Sequence, residues 1–201
     1  IEAFNRGPDE ATLHLVPQLW FRNRWAWDGD THPTPSIRNQ TDRGGPPVLL
    51  ADDSATEPLP NLGFGYRLGP RYLYGEIGGT VQFTDNETNG PAVFGPGAIS
   101  RSRFTTDAFH RLIVDGDQDA VNSTNNGTKA CVQYIRSVAA GDSTTLRLRL
   151  TNQQTDDALG DVDRVIEERR AEADEFYSAV QPPLATDDER RVQRQAFAGM
   201  L

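Results

Sequence analysis

The sequence predicts a mainly β fold, an antiparallel β-sandwich of about nine or more strands followed by a C-terminal helical linker. Three observations predict it. From residue 1 to about residue 152, apolar residues come in short or alternating runs. Gly, Pro and Asn residues that favour turns separate those runs. After Asn152 the apolar spacing becomes helical. We therefore expect a β-sandwich domain at 1–152 and a helical linker at 153–201.

The candidate strands are runs of apolar, aromatic or β-branched residues that lie between turn signals. They are 12–16, 20–27, 48–50, 63–68, 72–77, 80–83, 108–114, 129–138 and 143–150. The stretch 28–57 is the most polar part of the chain and predicts long surface loops around its one short strand. Because no helical period interrupts these strands, two sheets packed face to face are the simplest arrangement.

The clearest strand pair is 129–138 with 143–150, joined by the short connection 139–142. In the second strand Leu146, Leu148 and Leu150 alternate with arginines, which predicts one buried face and one solvated face.

Two helices are expected after residue 152. The first carries an apolar stripe and runs to about Val180, where two prolines follow. The second begins at Thr186, which forms a capping box with Glu189. We expect this second helix to be cut off without a C-cap, and Ile1 to be a trimmed start, so that the chain is a piece of a larger protein.

Composition narrows the setting. The formal net charge is −9, and the basic residues are 19 arginines and one lysine, Lys129. This bias predicts a protein adapted to high salt, with a GC-rich genome as the alternative. The acidity argues against nucleic acid as a partner. The absence of a run of about 18 apolar residues argues against a membrane span. We expect a cytoplasmic protein, with export as the alternative.

Few residue patterns point to a metal or a cofactor, and we expect neither. The three histidines lack a second ligand at metal-binding spacing, and the single Cys131 lies in an apolar stretch that predicts burial. The acidic run 115–119 opens like a calcium loop, but Ala120 and Asn126 occupy positions where such a loop needs Gly and Glu. A solvated acidic hairpin is the better interpretation.

Two features suit a carbohydrate ligand. Alternation places Trp25 and Trp27 on one face beside the polar loop that follows, and aromatic faces next to hydrogen-bonding loops fit sugar rings. The loop 84–89 is rich in amide, hydroxyl and carboxylate groups. It predicts either a ligand-facing loop or a network that satisfies its own backbone. For Trp20, packing in the sandwich core is an equally good interpretation.

Several segments in order along the chain resemble the N-terminal region of bacterial and archaeal proteins related to glycoside hydrolase family 63, the mannosyl-oligosaccharide glucosidase group. They are 5–8 (NRGP), 13–23 (LHLVPQLWFRN), 83–89 (FTDNETN), 107–110 (DAFH), 127–130 (GTKA) and 169–177 (RRAEADEFY). The segment 194–201 (RQAFAGML) is similar to the entry into the catalytic domain of such proteins. The resemblance spans nearly the whole chain.

The resemblance implies a β-sandwich domain whose partner is an (α/α)6 catalytic domain in the same protein. That domain would carry the acid and base of an inverting glycosidase, so no catalytic residue is expected here. The partner ligand would be an oligosaccharide or small glycoside, and sandwich loops could wall its pocket. The candidate substrate-binding residues are Trp25, Trp27, Asn86, Glu87, Asn89, His110 and Lys129. The alternatives are an autonomous carbohydrate-binding module and a purely structural domain.

Overall fold

Antiparallel strands form most of the first part of the chain. The computed structural model describes residues 1–26, 32–57, 64 and 66–200, and within them it contains eleven β-strands and four α-helices. The chain divides into two compact units, 1–159 and 160–201. The strands and the first two helices belong to the first unit, and the last two helices belong to the second.

The strands and helices have the following bounds. The strands are β1 (Glu2–Phe4), β2 (Ala11–Leu15), β3 (Gln18–Trp20), β4 (Ser36–Asn39), β5 (Val48–Asp52), β6 (Arg71–Gly75), β7 (Thr80–Thr84), β8 (Asn126–Gly127), β9 (Lys129–Val138), β10 (Ser143–Thr145) and β11 (Leu148–Thr151). The helices are α1 (Gly90–Phe94), α2 (Ala108–Val114), α3 (Val162–Val180) and α4 (Asp187–Ala198), with a 3-10 helix at Gln118–Ala120.

The strands build two larger sheets and one small one. A five-stranded sheet has the order β11-β6-β5-β4-β8. A four-stranded sheet is centred on β9, which pairs with β2 along its C-terminal half and with β3 and β7 along its N-terminal half. β1 pairs with β10. All these pairs are antiparallel.

One hydrophobic core draws on both larger sheets. Its fully buried members come from β4, β5, β6, β7 and β9, with one from the segment between β10 and β11. They are Ile37, Leu49, Ala51, Leu73, Phe83, Ala130, Val132, Tyr134 and Leu146. Each large apolar side chain that is fully buried contributes on the order of 1.5–3 kcal/mol, so this cluster supplies the main stabilisation of the first unit.

Tyr134 is the largest side chain in this core. Its hydroxyl donates to the Glu76 carbonyl at 2.9 Å, and burial raises the pKa of Tyr134 to about 12. Gly79 lies against the ring: a Cβ at that position would stand 2.6 Å from the Tyr134 Cζ atom. Glycine at residue 79 therefore makes room for the tyrosine ring.

Several strand predictions are confirmed, with shifts of one or two residues at the ends: β2, β5, β6, β7 and β9 correspond to predicted strands. The predicted strand 108–114 is wrong, because this segment is helix α2. Its buried residues Ala108, Phe109 and Leu112 have helical spacing. The strand predicted at 20–27 is also wrong beyond Trp20, the last residue of β3: no strand covers 21–26. Trp27 lies outside the described residues.

The predicted hairpin of 129–138 with 143–150 is wrong. The second segment is two strands, of which β10 pairs with β1 and β11 pairs with β6. Leu146 is buried between them, whereas Leu150 is 56% exposed. β4 and β8 were not predicted. The predicted strand 63–68 is wrong where the structure describes it: residues 64 and 66–68 form no strand, and residues 63 and 65 lie outside the described residues.

The second unit contains the two predicted helices. The capping box is confirmed: the Glu189 backbone N–H donates to the Thr186 hydroxyl at 3.3 Å, and the Thr186 N–H donates to the Glu189 carboxylate at 2.8 Å. Helix α4 ends at Ala198, and Gly199, which has right-handed helical dihedrals, donates its N–H to the Gln195 and Ala196 carbonyls. The Arg194 guanidinium pairs with Asp174 and lies over the Tyr177 ring.

Candidate functional site

Four chain segments meet at one end of the four-stranded sheet. The register places Trp20, at the end of β3, and Thr84, at the end of β7, opposite Lys129, at the start of β9. The segments that leave these strand ends are therefore neighbours. We call residues 21–26, 84–89, 102–107 and 127–129 the loop cluster. It contains five of the seven predicted site residues.

Trp25 and Glu87 form a buried pair in the loop cluster. The Trp25 indole Nε1–H donates to Glu87 Oε1 at 2.6 Å, and the two residues are 8% and 9% exposed. A buried carboxylate is costly unless donors surround it, and the indole supplies one. Because Trp25 is almost fully covered, its ring is a packing element. The core alternative predicted for Trp20 is wrong, since Trp20 is 55% exposed.

Asn86 connects all four segments. Its backbone N–H donates to the Thr128 hydroxyl at 2.8 Å, and its side-chain amide donates to the Phe21 carbonyl at 2.8 Å. Its carbonyl accepts from the Asn23 amide at 2.8 Å, and its Oδ1 atom accepts from the Thr106 hydroxyl at 3.2 Å. Four bonds to three other segments make Asn86 the centre of the network.

Asn89 begins helix α1. Its Oδ1 atom accepts from the Ala92 N–H at 3.3 Å, the ordinary role of an N-cap. Its amide also donates to Asp107 Oδ2 at 2.9 Å, and the Thr105 hydroxyl donates to Asp107 Oδ1 at 2.5 Å. Burial works to raise the pKa of Asp107, but the hydrogen bonds from Thr105 and Asn89 outweigh it, and the pKa is lowered. Asp107 is therefore a fixed anion.

Lys129 holds the segment before helix α2. Its ammonium donates to the Thr106 carbonyl at 2.9 Å and to the Thr106 hydroxyl at 3.0 Å. It also lies 5.4 Å from the centre of the Phe109 ring. Burial lowers the pKa of Lys129. His110 is exposed on α2, and its side chain makes no hydrogen bond with any residue that the structure describes.

The hydrogen bonds of the 84–89 loop bear on its two interpretations. Even Asp85 is engaged, because its carboxylate accepts from the Ser102 hydroxyl at 2.7 Å and from the Thr128 N–H at 3.2 Å. The polar groups thus satisfy the loops themselves, as the self-capping alternative predicted. Asn86 and Asn89 already use most of their hydrogen-bonding capacity within the loops. The cluster can therefore form a rigid polar wall.

Sequence reasoning missed several members of the network, although they lie within or next to the segments that carry the resemblance. They are Asn23, Asp85, Thr106, Asp107 and Thr128. Their residue types were a usable signal, because Asx, Ser and Thr residues directly after strand ends often bind loop backbone.

The described residues contain no group of three or more His, Cys, Asp or Glu side chains placed to hold a metal ion. In the acidic run, Asp117 pairs with Arg111 at 2.5 Å and accepts from the Asp119 N–H at 3.1 Å. Its pKa is lowered, first by the hydrogen bond from Arg111. This run is a helix-capping turn with an ion pair.

Comparison with known proteins gives one distant relative. The chain is similar to the uncharacterized protein YMR196W of Saccharomyces cerevisiae, with 32% identity over 215 aligned residues. The alignment covers 96% of this chain and 19% of the yeast protein, so the chain spans about one fifth of that relative's length. No family model matches the chain, and no solved structure matches it.

Among the helices in the described residues, none combines the length and the hydropathy needed to cross a lipid bilayer.

Proposed function

We propose that this chain is an accessory domain of a larger inverting glycoside hydrolase, related to family 63, and has no catalytic residues of its own. Its two larger sheets would form a β-sandwich that supports an (α/α)6 catalytic domain. The ligand of the whole protein would be an oligosaccharide or small glycoside. The loop cluster would form part of the wall of the sugar pocket.

One observation carries this proposal. The segments that resemble the glucosidase group, 13–23, 83–89, 107–110 and 127–130, are far apart in sequence but supply most of the loop cluster. Local structure alone would not require separate segments with family resemblance to meet. Their convergence on one end of a sheet supports a shared role at that end.

The polar groups of the loop cluster are hydrogen-bonded to one another. This favours a role as a pocket wall over a binding site that offers free polar groups to a ligand. A wall must hold its shape while a ligand binds beside it, and rigid loops lose little entropy on binding. The core shared by the two sheets supports the sandwich arrangement. The length of the yeast relative is consistent with a domain of a longer protein.

The first experiment measures the mass of the native gene product in source-cell extract and its hydrolysis of neutral glycosides. We expect a product far larger than 22.2 kDa that hydrolyses a glycoside with inversion, and no turnover by the 201-residue chain alone. A native product of about this size, or a larger one without glycosidase activity, would contradict the proposal.

The second experiment separates a pocket wall from a structural network. Asn86→Ala in the native enzyme should raise KM severalfold, because loosened loops would no longer shape the pocket. Asn5→Ala is the matched control: the Asn5 amide likewise bonds backbone, at Asp9 and Val138, but outside the loop cluster. Unchanged KM and kcat with lowered stability in both variants would favour the purely structural alternative.

A further inference from the structure

A pocket of about 220 Å³ opens between the two larger sheets. Leu19, Trp20 and Phe21 of the four-stranded side face Ala51, Arg71 and Leu150 of the five-stranded side. Arg22, Leu68 and Gly69 complete the lining. We call it the Trp20 pocket. Phe21 joins it to the loop cluster, since the Phe21 side chain lines the pocket and its carbonyl accepts from Asn86.

The pocket is an uncovered end of the shared core. In β6, Arg71 lies two residues before the core residue Leu73 and therefore on the same face of the sheet. Its cross-strand neighbour in β5 is Ala51, which is small and leaves space beside it. Leu150, opposite Leu73 in β11, is 56% exposed. An apolar surface that would ordinarily be covered is thus open at this end.

Arg71 is a charged residue on the core-facing side of β6, where an apolar residue is the usual choice. Inward charges can protect edge strands from pairing with other chains, but β6 lies between β11 and β5 and is not an edge. The Arg71 guanidinium donates to the Pro70 carbonyl at 2.9 Å, and no carboxylate of the described residues lies within ion-pair distance. Most of its five N–H donors are therefore left for another acceptor.

These features define the chemistry of the ligand. A guanidinium fork matches a carboxylate in bidentate geometry. The exposed Trp20 face and the leucines match a flat or compact apolar body. General attraction of anions is unfavourable for a chain of net charge −9, so binding would need this local site.

We propose that the Trp20 pocket binds a small carboxylate with an apolar body, its carboxylate on Arg71 and its body against Trp20. The site is independent of the proposed glycosidase role. It would serve to take up an organic acid, whether aromatic or aliphatic.

The test titrates the 201-residue chain with benzoate and hexanoate, and with the neutral isosteres benzamide and hexanamide. Binding is followed in proton–nitrogen NMR spectra through the Trp20 indole signal, assigned with Trp20→Phe. We expect saturable shifts with both acids and binding at least about tenfold weaker with the amides, since a hydrogen bond to a charged group is lost. Equal binding of acids and amides, or no saturable shift, would overturn the proposal.

Variants locate the site. Arg71→Gln should weaken benzoate binding at least about tenfold. Arg38→Gln is the control: it removes a positive charge from the same sheet, but Arg38 pairs with Asp52 at 3.0 Å and does not line the pocket. Leu150→Glu places a negative charge on an exposed pocket wall and should abolish binding. Equal weakening in the two arginine variants would overturn the assignment.

Two further outcomes are decisive. If Arg71→Gln fails to fold, Leu150→Glu decides alone, because more than half of the Leu150 side chain is exposed and its strand is an edge. Retained benzoate binding in folded Leu150→Glu would overturn the proposal. Glucuronate tests the apolar body: we expect it to bind more weakly than benzoate, and tighter binding of the sugar acid would refute that part.

Discussion

The buried hydrogen bond between Trp25 and Glu87 gives the sharpest test of the loop cluster. Trp25→Phe keeps an aromatic ring but removes the indole N–H that lies 2.6 Å from the Glu87 carboxylate. Glu87 is 9% exposed, so its oxygen loses a donor in a place that water reaches poorly. We expect a loss of roughly 1–3 kcal/mol for the unpaired acceptor, with a further cost from the smaller ring.

The assays are urea unfolding, which gives the free energy of unfolding, and thermal unfolding, which gives Tm, both followed by circular dichroism. For a chain of this size, each kcal/mol lowers Tm by about 2–4 °C. Trp20→Phe is the matched control, because Trp20 is 55% exposed and makes no such buried bond; it should change stability by less than about 0.5 kcal/mol. Equal effects of the two substitutions would refute the reasoning.

A double-mutant cycle isolates the pair. Glu87→Leu removes the acceptor, so that Trp25→Phe no longer leaves a buried carboxylate without its donor. We expect the double variant to be more stable than the sum of the single losses by about 1–2 kcal/mol. If the loss in the double variant equals the sum of the single losses within about 0.5 kcal/mol, the hydrogen bond does not couple the two residues, and the reasoning is wrong.

Three other predictions follow from particular contacts. Gly127→Ala should destabilise by about 1–3 kcal/mol in urea unfolding, since its Cβ would overlap the Thr84 carbonyl oxygen, whereas Gly97→Ala, with open space around it, should be neutral. Cys131 should resist iodoacetamide at pH 8 until urea unfolds the chain, because burial raises its pKa to about 12; rapid native labelling would contradict this. The Glu189 pKa is lowered, first by the backbone hydrogen bond at Thr186, so its stabilisation is present above about pH 4.3 and is lost on acidification. The Tm difference between wild type and Glu189→Gln should vanish near pH 2, and a constant difference would contradict it.

Local sequence patterns predicted strand β9, the longest strand. They failed for short segments and for segments whose structure depends on pairing with distant strands. Strand β9 matches its predicted bounds, because a long apolar run between turns has few other solutions. The seven residues of α2 were predicted as a strand, since helix and strand periods cannot be told apart over so short an apolar segment. The break in the segment 143–150 arises from partners far away in sequence, β1 and β6, which no local pattern contains.

The candidate site was likewise predicted only in part. Resemblance brought Asn86, Glu87 and Lys129 into one list, and the structure brings them into one network. Local pattern could not show that Trp25 turns inward to Glu87, because the predicted strand through residue 25 does not form. The inward position of Arg71 also needs the register of β5 and β6 before it becomes visible.

The single lysine, Lys129, is explained by its tertiary contacts and not by the composition of the chain. A chain that uses arginine 19 times could be expected to use it at residue 129 as well. There, however, two acceptors of one residue, the Thr106 carbonyl and hydroxyl, lie at 2.9 and 3.0 Å from a single nitrogen, with the Phe109 ring below. A compact ammonium can donate to both, whereas a planar guanidinium fork is larger and suits two parallel acceptors. A departure from the chain's own bias therefore marks a position that the fold constrains, and Lys129 holds the segment before α2 in the loop cluster.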